Sequence, residues 1–263
     1  MVMSDTSIDV EQQGYIATLT IKNPQKRNAL DLESWNKLAA ALARLDADDS
    51  VRCIVIRGDG TKAFAAGADI SEFSELRSNA LEAKEYGIVV AKALDALQKC
   101  RHPTVAMIHG ACTGGGFEIA CCCDMRIAGK SARLGIPIKR IGNALSPTEM
   151  KPSLDLVGPA VVLEILLEGA LFGGNDAVQR GMVNRVVPDD ELAQNVYATA
   201  ERIASGAPLA AQMTKKTLRR LMSNPKPLSE QELIDSYAAC DSEDYTEGVR
   251  SFLAKEQPEF KGK

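Results

Sequence analysis

The stretch "PTVAMIHGACTGGGFEIACCCDMRIA" (103–128) decides the reading of this chain. Its first part, "PTVAMIHG" (103–110), is a short apolar run ending in glycine, the pattern of a buried strand. Gly114-Gly115-Gly116 then interrupts regular structure, the apolar segment beyond reads as a helix, and "DMRIAG" (124–129) reads as a further strand. A glycine run between strand and helix leaves bare amide N–H groups at the helix N-terminus, where they have no intrahelical partner. The helix dipole adds about half a positive charge there. The place suits an anion, or a carbonyl oxygen becoming one, and glycine lets that oxygen approach because no Cβ blocks it. Glu118 lies three residues after Gly115 and so shares its helix face. One donor beside one proton-transfer group is the minimum for acid–base chemistry next to a carbonyl. Two plainer explanations compete: the dipole alone favours a glutamate in the first turn, and glycines often only permit close packing. The segment does not supply the G-x-G-x-x-G order of a dinucleotide site.

Outward from this stretch, "FAAGADI" (64–70) places Gly67 in a loop after a strand and could supply the second donor that an oxyanion site needs. "IDVEQQGYIATLTI" (8–21) reads as a hairpin turning near Gln13-Gly14. Asp31 can cap a helix whose Leu32, Trp35, Leu38, Leu42 and Leu45 form one stripe. "VRCIVIRG" (51–58) is a buried strand, so a parallel pair is expected. A long helix covers Leu81 to Lys99, "PAVVLEILLEG" (159–169) is a helix and "MVNRVVP" (182–188) a strand. Beyond Asp189 strand signals stop. "DELAQNVYATAERIASG", "APLAAQMTKKTLRRLM" and "SEQELIDSYAACDSEDYTEGVRSFLAKE" all read as helices. The organisation is an α/β core over 1–190 and a helical region over 191–263.

The bulk properties exclude several classes. The 263 residues are 45% hydrophobic and 25% charged, an ordinary globular composition. A net charge of −4 disfavours nucleic acid, whose phosphates need clustered Lys and Arg. The best basic cluster, "TKKTLRR" (214–220), reads as one solvated helix face. No run is apolar and long enough for a bilayer, and "MVMSDTSIDVEQQG" shows no secretory signal. Seven cysteines without framework spacing suit a reducing cytoplasm. Cys121, Cys122 and Cys123 are neighbours that point about 100° apart on a helix, so packing is expected of them and no metal site.

With both glycine segments in view, the sequence resembles the crotonase superfamily, the enoyl-CoA hydratases and isomerases. "FAAGADI" with Ser71-Glu72-Phe73 resembles that family's first oxyanion-hole motif, and the 103–128 stretch its second. "NPQKRNAL" (23–30) resembles the loop near the coenzyme A nucleotide, and "DAVQRGMVNRVVP" (176–188) the late helix–strand segment. The resemblance covers nearly the whole chain. It implies a crotonase-like spiral of ββα units followed by a C-terminal helical oligomerisation region. It also implies an acyl-CoA thioester substrate, no metal, and no cofactor beyond the coenzyme A of the substrate. The amides of Ala68 and Gly115 would hold the thioester oxygen and stabilise an enolate, and Glu118 would be the first family glutamate. Arg27, Ala29, Asp69 and Ile70 would flank the bound CoA thioester. Phe252 and Lys255 match positions that reach the CoA of a neighbouring subunit in a homotrimer or a hexamer built from two trimers.

One departure bears on the chemistry. In "LGIPIKRIGNALSPTEMKPSLDLVG" (134–158), Ile138 occupies the position of the second family glutamate, and Leu145-Ser146-Pro147-Thr148-Glu149 replaces a glycine-rich loop. Isoleucine cannot orient water or move a proton. Glu149 or Asp155 is a candidate substitute, although a solvated or capping role is the expectation for both, since charged residues are mostly exposed. The leading reading is enoyl-CoA hydratase. Isomerisation, thioester hydrolysis and decarboxylation are the alternatives, and a non-catalytic acyl-CoA-binding subunit is the alternative of another class.

Overall fold

The computed structural model describes residues 6–223, 226–235 and 237–263. The start of the N-terminal stretch read as signal-free (1–5) and Ser236 in the last helical reading lie outside the described residues. The chain opens with an antiparallel hairpin, β1 (Ser7–Gln13) and β2 (Ile16–Lys22). Gly14 makes its turn at a φ of +56°, which glycine adopts without steric cost. Asp31 caps α1 (Leu32–Asp46) by accepting from the Ser34 amide at 2.8 Å. Trp35, Leu38, Leu42 and Leu45 are buried along one stripe, as their spacing predicts.

From here one unit recurs: a strand, a very short strand, then helix. The first unit is β3 (Cys53–Gly58), β4 (Ala63–Ala65), α2 (Phe73–Leu76) and α3 (Ala80–Lys99). The second is β5 (Thr104–Ile108), β6 (Ala111–Thr113) and α4 (Gly115–Cys122). The third is β7 (Met125–Gly129), β8 (Arg133–Gly135) and α5 (Pro147–Leu163). β9 (Phe172–Gly173), α6 (Gly174–Gln179) and β10 (Arg185–Val187) close the core. The long strands form one sheet in the order β1-β2-β3-β5-β7-β10, and the short ones a second sheet, β4-β6-β8-β9. All pairs are parallel except β1–β2 and β8–β9. This is the expected spiral of ββα units.

The central strands of the large sheet, β3, β5 and β7, are buried on both faces, and alternate side chains serve two cores. Ile54, Ile56, Ala106 and Ile108 join the main core with α1, α3 and α4. Cys53, Val55, Val105 and Met107 face Leu192, Val196, Ala200 and Ala204 of α7 (Leu192–Ala204), which covers the outer face. α4 sits directly on β4, where a Cβ on Gly116 would fall 2.1 Å from the Ala65 carbonyl oxygen. Cys112, Cys121, Cys122 and Cys123 are buried and free within the main core, the packing role expected of them.

The tail continues as α8 (Pro208–Ser223), α9 (Glu230–Asp235) and α10 (Glu243–Ala254). Lys215 of α8 is buried and paired with Asp124 at the far end of the glycine-rich stretch. Two helical readings need correction. Residues 229–256 are not one helix: α9, a short 3-10 turn (Ala238–Asp241) and α10 divide them, and Ser242 starts α10 as its cap. The helix read over 159–169 begins twelve residues earlier, at Pro147, kinks at Gly158 (φ +73°) and ends in a π turn (Glu164–Glu168). Pro147 at the first helical position and the reciprocal Ser146–Glu149 cap start it there.

Candidate active site

The residues around "FAAGADI" and "NPQKRNAL" build the site from backbone. The Ala66 amide donates to the Arg27 carbonyl at 3.0 Å, the Leu30 amide to Gly67 at 2.8 Å, and the Asp69 amide to Leu30 at 2.8 Å. These bonds clamp the loop as a parallel bridge between Leu30 and Ala68. The Ala68 amide is left with no acceptor among the described residues. Gly115 is the first residue of α4, so its amide has no intrahelical acceptor either. The two loops touch: a Cβ on Gly67 (φ +99°) would stand 2.9 Å from the Gly115 nitrogen. The Thr113 hydroxyl ties them by donating to the Ala66 carbonyl at 3.2 Å. Ala68 and Gly115 thus border one cavity of about 130 Å³, with Trp35, Tyr86, Glu118 and Glu149 in its wall.

Glu118 is 3% exposed. Burial holds its carboxyl well above the usual carboxylate range, the Glu149 charge adds to this, and Arg77 opposes it. The direction favours the neutral acid, able to give a proton. Glu149 is 7% exposed on the first turn of α5. Its Oε2 accepts from the Ser146 hydroxyl at 2.5 Å and the Ser146 amide at 3.2 Å, while its own amide donates to Ser146 Oγ. The expected capping role is therefore present, but the expected solvation is not: the cap holds the carboxyl in the wall of the cavity that Glu118 also lines. Ile138 lines the same cavity as an apolar surface. Asp155 is exposed and paired with Lys151 at 2.5 Å, away from the cavity. Ser146→Ala is expected to lower the melting temperature by about 2–4 °C, through loss of a cap worth about 1 kcal/mol, and to slow catalysis by freeing Glu149. Differential scanning calorimetry and a turnover assay check both.

The remaining candidates are spread out. Arg27 is exposed with a φ of +54°, and Ala29 is buried beneath it. Asp69 pairs with Lys26 at 2.7 Å and caps the turn at Ser71. Ile70 is 58% exposed and borders the cavity. Phe252, 84% exposed, and Lys255, which ends α10, do not line it. Arg77, Tyr86 and the indole of Trp35 line it too; Tyr86 opens the apolar segment 86–97, which the sequence offers as pocket lining or as plain core, whereas Arg77 and Trp35 carry no sequence mark of a site. Only their position relative to the two loops marks them, and that is a tertiary fact.

The model of the Enoyl-CoA hydratase/isomerase family matches residues 11–263. The chain belongs to this family. Among members of the enoyl-CoA hydratase/isomerase family, the chain is similar to a crotonyl-CoA hydratase of Syntrophomonas wolfei, at 31% identity over 98% of this chain and 99% of that one. It is 34% identical to a probable enoyl-CoA hydratase of Bacillus subtilis, over 99% of this chain and all of that one. A solved structure described as an enoyl-CoA hydratase/carnithine racemase of Magnetospirillum magneticum superposes with a TM-score of 0.95 at 45% identity, covering 98% and 97% of the two chains.

Proposed function

We propose that the chain is an enoyl-CoA hydratase that adds water across the double bond of a short 2-enoyl-CoA. One observation carries this: two unpartnered amides and two buried carboxyls converge on a single small cavity. The amides of Ala68 and Gly115 donate to the thioester oxygen and stabilise the negative charge it gains as the enolate forms. Glu149 takes one proton of water as its oxygen bonds to Cβ. Glu118, kept neutral by burial, gives its proton to Cα. The proton on Glu149 then returns to Glu118, which restores the pair. Two carboxyls in environments of different polarity divide acid and base work in this way. The volume, well below the roughly 300–1,000 Å³ of drug-sized pockets, suits a short acyl chain.

The test is loss of crotonyl-CoA absorbance, with mass spectrometry showing a product heavier by one water. Glu149→Gln is expected to lower that rate by about 10²-fold or more. No hydration of any short enoyl-CoA would sink the hydratase reading. A product of unchanged mass, with deuterium exchanged from solvent, would instead establish the isomerase alternative. CoA-thioester binding with no product at all would establish the non-catalytic subunit.

The exposed apolar residues of the tail, among them Leu218, Leu221, Phe252 and Leu253, support self-association as a trimer or a pair of trimers. The buried free cysteines support a reducing compartment, the cytoplasm. Among the described residues no helix is long and apolar enough to cross a membrane.

A further inference from the structure

Three polar groups in the cavity wall have no part in the hydration just described. Arg77 ends α2, and its guanidinium carbon lies 4.5 Å from the centroid of the Phe73 ring and 5.1 Å from that of Tyr86. The two rings meet edge to face at 5.9 Å. The guanidinium makes no ion pair and no hydrogen bond among the described residues. Tyr86 is 2% exposed and its hydroxyl has no hydrogen-bond partner; Trp35 is fully buried and its indole N–H has none. The indole N–H lies beside the phenol without completing a bond to it. The same indole borders the second amide donor, since a Cβ on Gly115 would lie 2.7 Å from Trp35 Cζ2. The three donors therefore follow one wall, from Gly115 past α1 to α2 and α3.

Buried donors are costly to leave unmet. A plain alkyl tail filling this cavity would seal all three against hydrocarbon. A cationic tail would meet Arg77, already seated over both rings. The other charged residues in the wall are Glu118 and Glu149. Burial disfavours the ionised form of the first, and Ser146 occupies one oxygen of the second. An anionic oxygen pair matches what remains, because a guanidinium binds a carboxylate through parallel N–H donors.

We propose that this pocket selects a short acyl-CoA whose tail ends in a carboxylate, held by the Arg77 guanidinium and the Tyr86 hydroxyl. With its proton turned to the ligand, the Tyr86 oxygen accepts from the Trp35 N–H. The proposal rests on reading the cavity as an acyl-CoA site.

Calorimetric titration of glutaryl-CoA and butyryl-CoA, which differ by the terminal carboxylate alone, tests it. Glutaryl-CoA is expected to bind about 10–100-fold more tightly, the range for hydrogen bonds to a charged group. Arg77→Gln brings the ratio of the two affinities close to one, and Arg77→Lys keeps part of it. Tyr86→Phe lowers the ratio several-fold while raising the melting temperature of the unliganded protein, because a buried hydroxyl without a partner has gone. Equal or weaker binding of glutaryl-CoA overturns the proposal, as does a ratio that Arg77→Gln leaves untouched. Binding of neither thioester overturns both this and the acyl-CoA reading. Preference for glutaryl-CoA without hydration of any enoyl-CoA upholds the tail selection and removes only the hydratase.

Discussion

Glu118→Gln is expected to lower hydration by about 10²–10⁴-fold, the usual contribution of a positioned acid or base, and to stabilise the fold at neutral pH. Both effects follow from one fact: the side chain is buried and its pKa is raised. The folded chain keeps a proton that the unfolded chain releases near its ordinary value of 4.5. Stability of the native protein therefore falls as pH rises from that value through the folded pKa, and levels off above it. Glutamine carries no charge at any pH and removes the slope. The melting temperatures of the two proteins should coincide below about pH 4 and diverge above it, with the variant higher. Turnover and calorimetry across pH 4–9 are the measurements. A variant that kept its rate would remove Glu118 from the chemistry. A variant less stable at neutral pH would show that the carboxyl is satisfied as an ion.

Gly115→Ala is expected to cost about 10²–10³-fold in kcat, the effect of losing one oxyanion donor. The added Cβ would stand 2.7 Å from Trp35 Cζ2 and 3.0 Å from Cη2. Neither atom belongs to a flexible end, since the indole is fully buried in the main core. The backbone must yield, and the amide moves with it. Gly87→Ala in α3 is the control: nothing lies within 4 Å of its added Cβ, and a helix interior gains roughly 0.5–1 kcal/mol from that change. Stopped-flow hydration of crotonyl-CoA by both variants reads the difference. Similar rates in Gly115→Ala and the native protein would rule out a catalytic role for this amide.

The long elements were legible because their patterns repeat. The α1 stripe, the buried runs at β3 and β5, and the glycine break before α4 each declare themselves over several residues. The second sheet was not legible. Its strands are two or three residues long, too short for any alternation to show, and β4 runs into "FAAGADI", whose small residues and glycine read as a turn. The start of α5 could have been found: Ser146, Pro147 and Glu149 spell a capped helix entry in order. What no sequence pattern carries is the approach of Glu149 to Glu118, which comes from packing α5 on α4. The unmet donors of Trp35 and Tyr86 are hidden for the same reason, because each sits on a helical stripe that reads as ordinary core.

α4 has only eight residues, about 12 Å of helix. At one end is the Gly115 amide. Just past the other is Asp124, which accepts from the Thr104 amide and hydroxyl and pairs with Lys215 and Arg219 of α8. The helix between them is apolar but for Glu118, buried along nearly its whole length and pressed against β4, so it has little room to bend. It joins two ends rigidly, the Gly115 amide on the cavity side and the Asp124 carboxylate paired with α8. A displacement of Asp124 by α8 would reach the Gly115 amide, the donor proposed for the thioester oxygen, without crossing a loop.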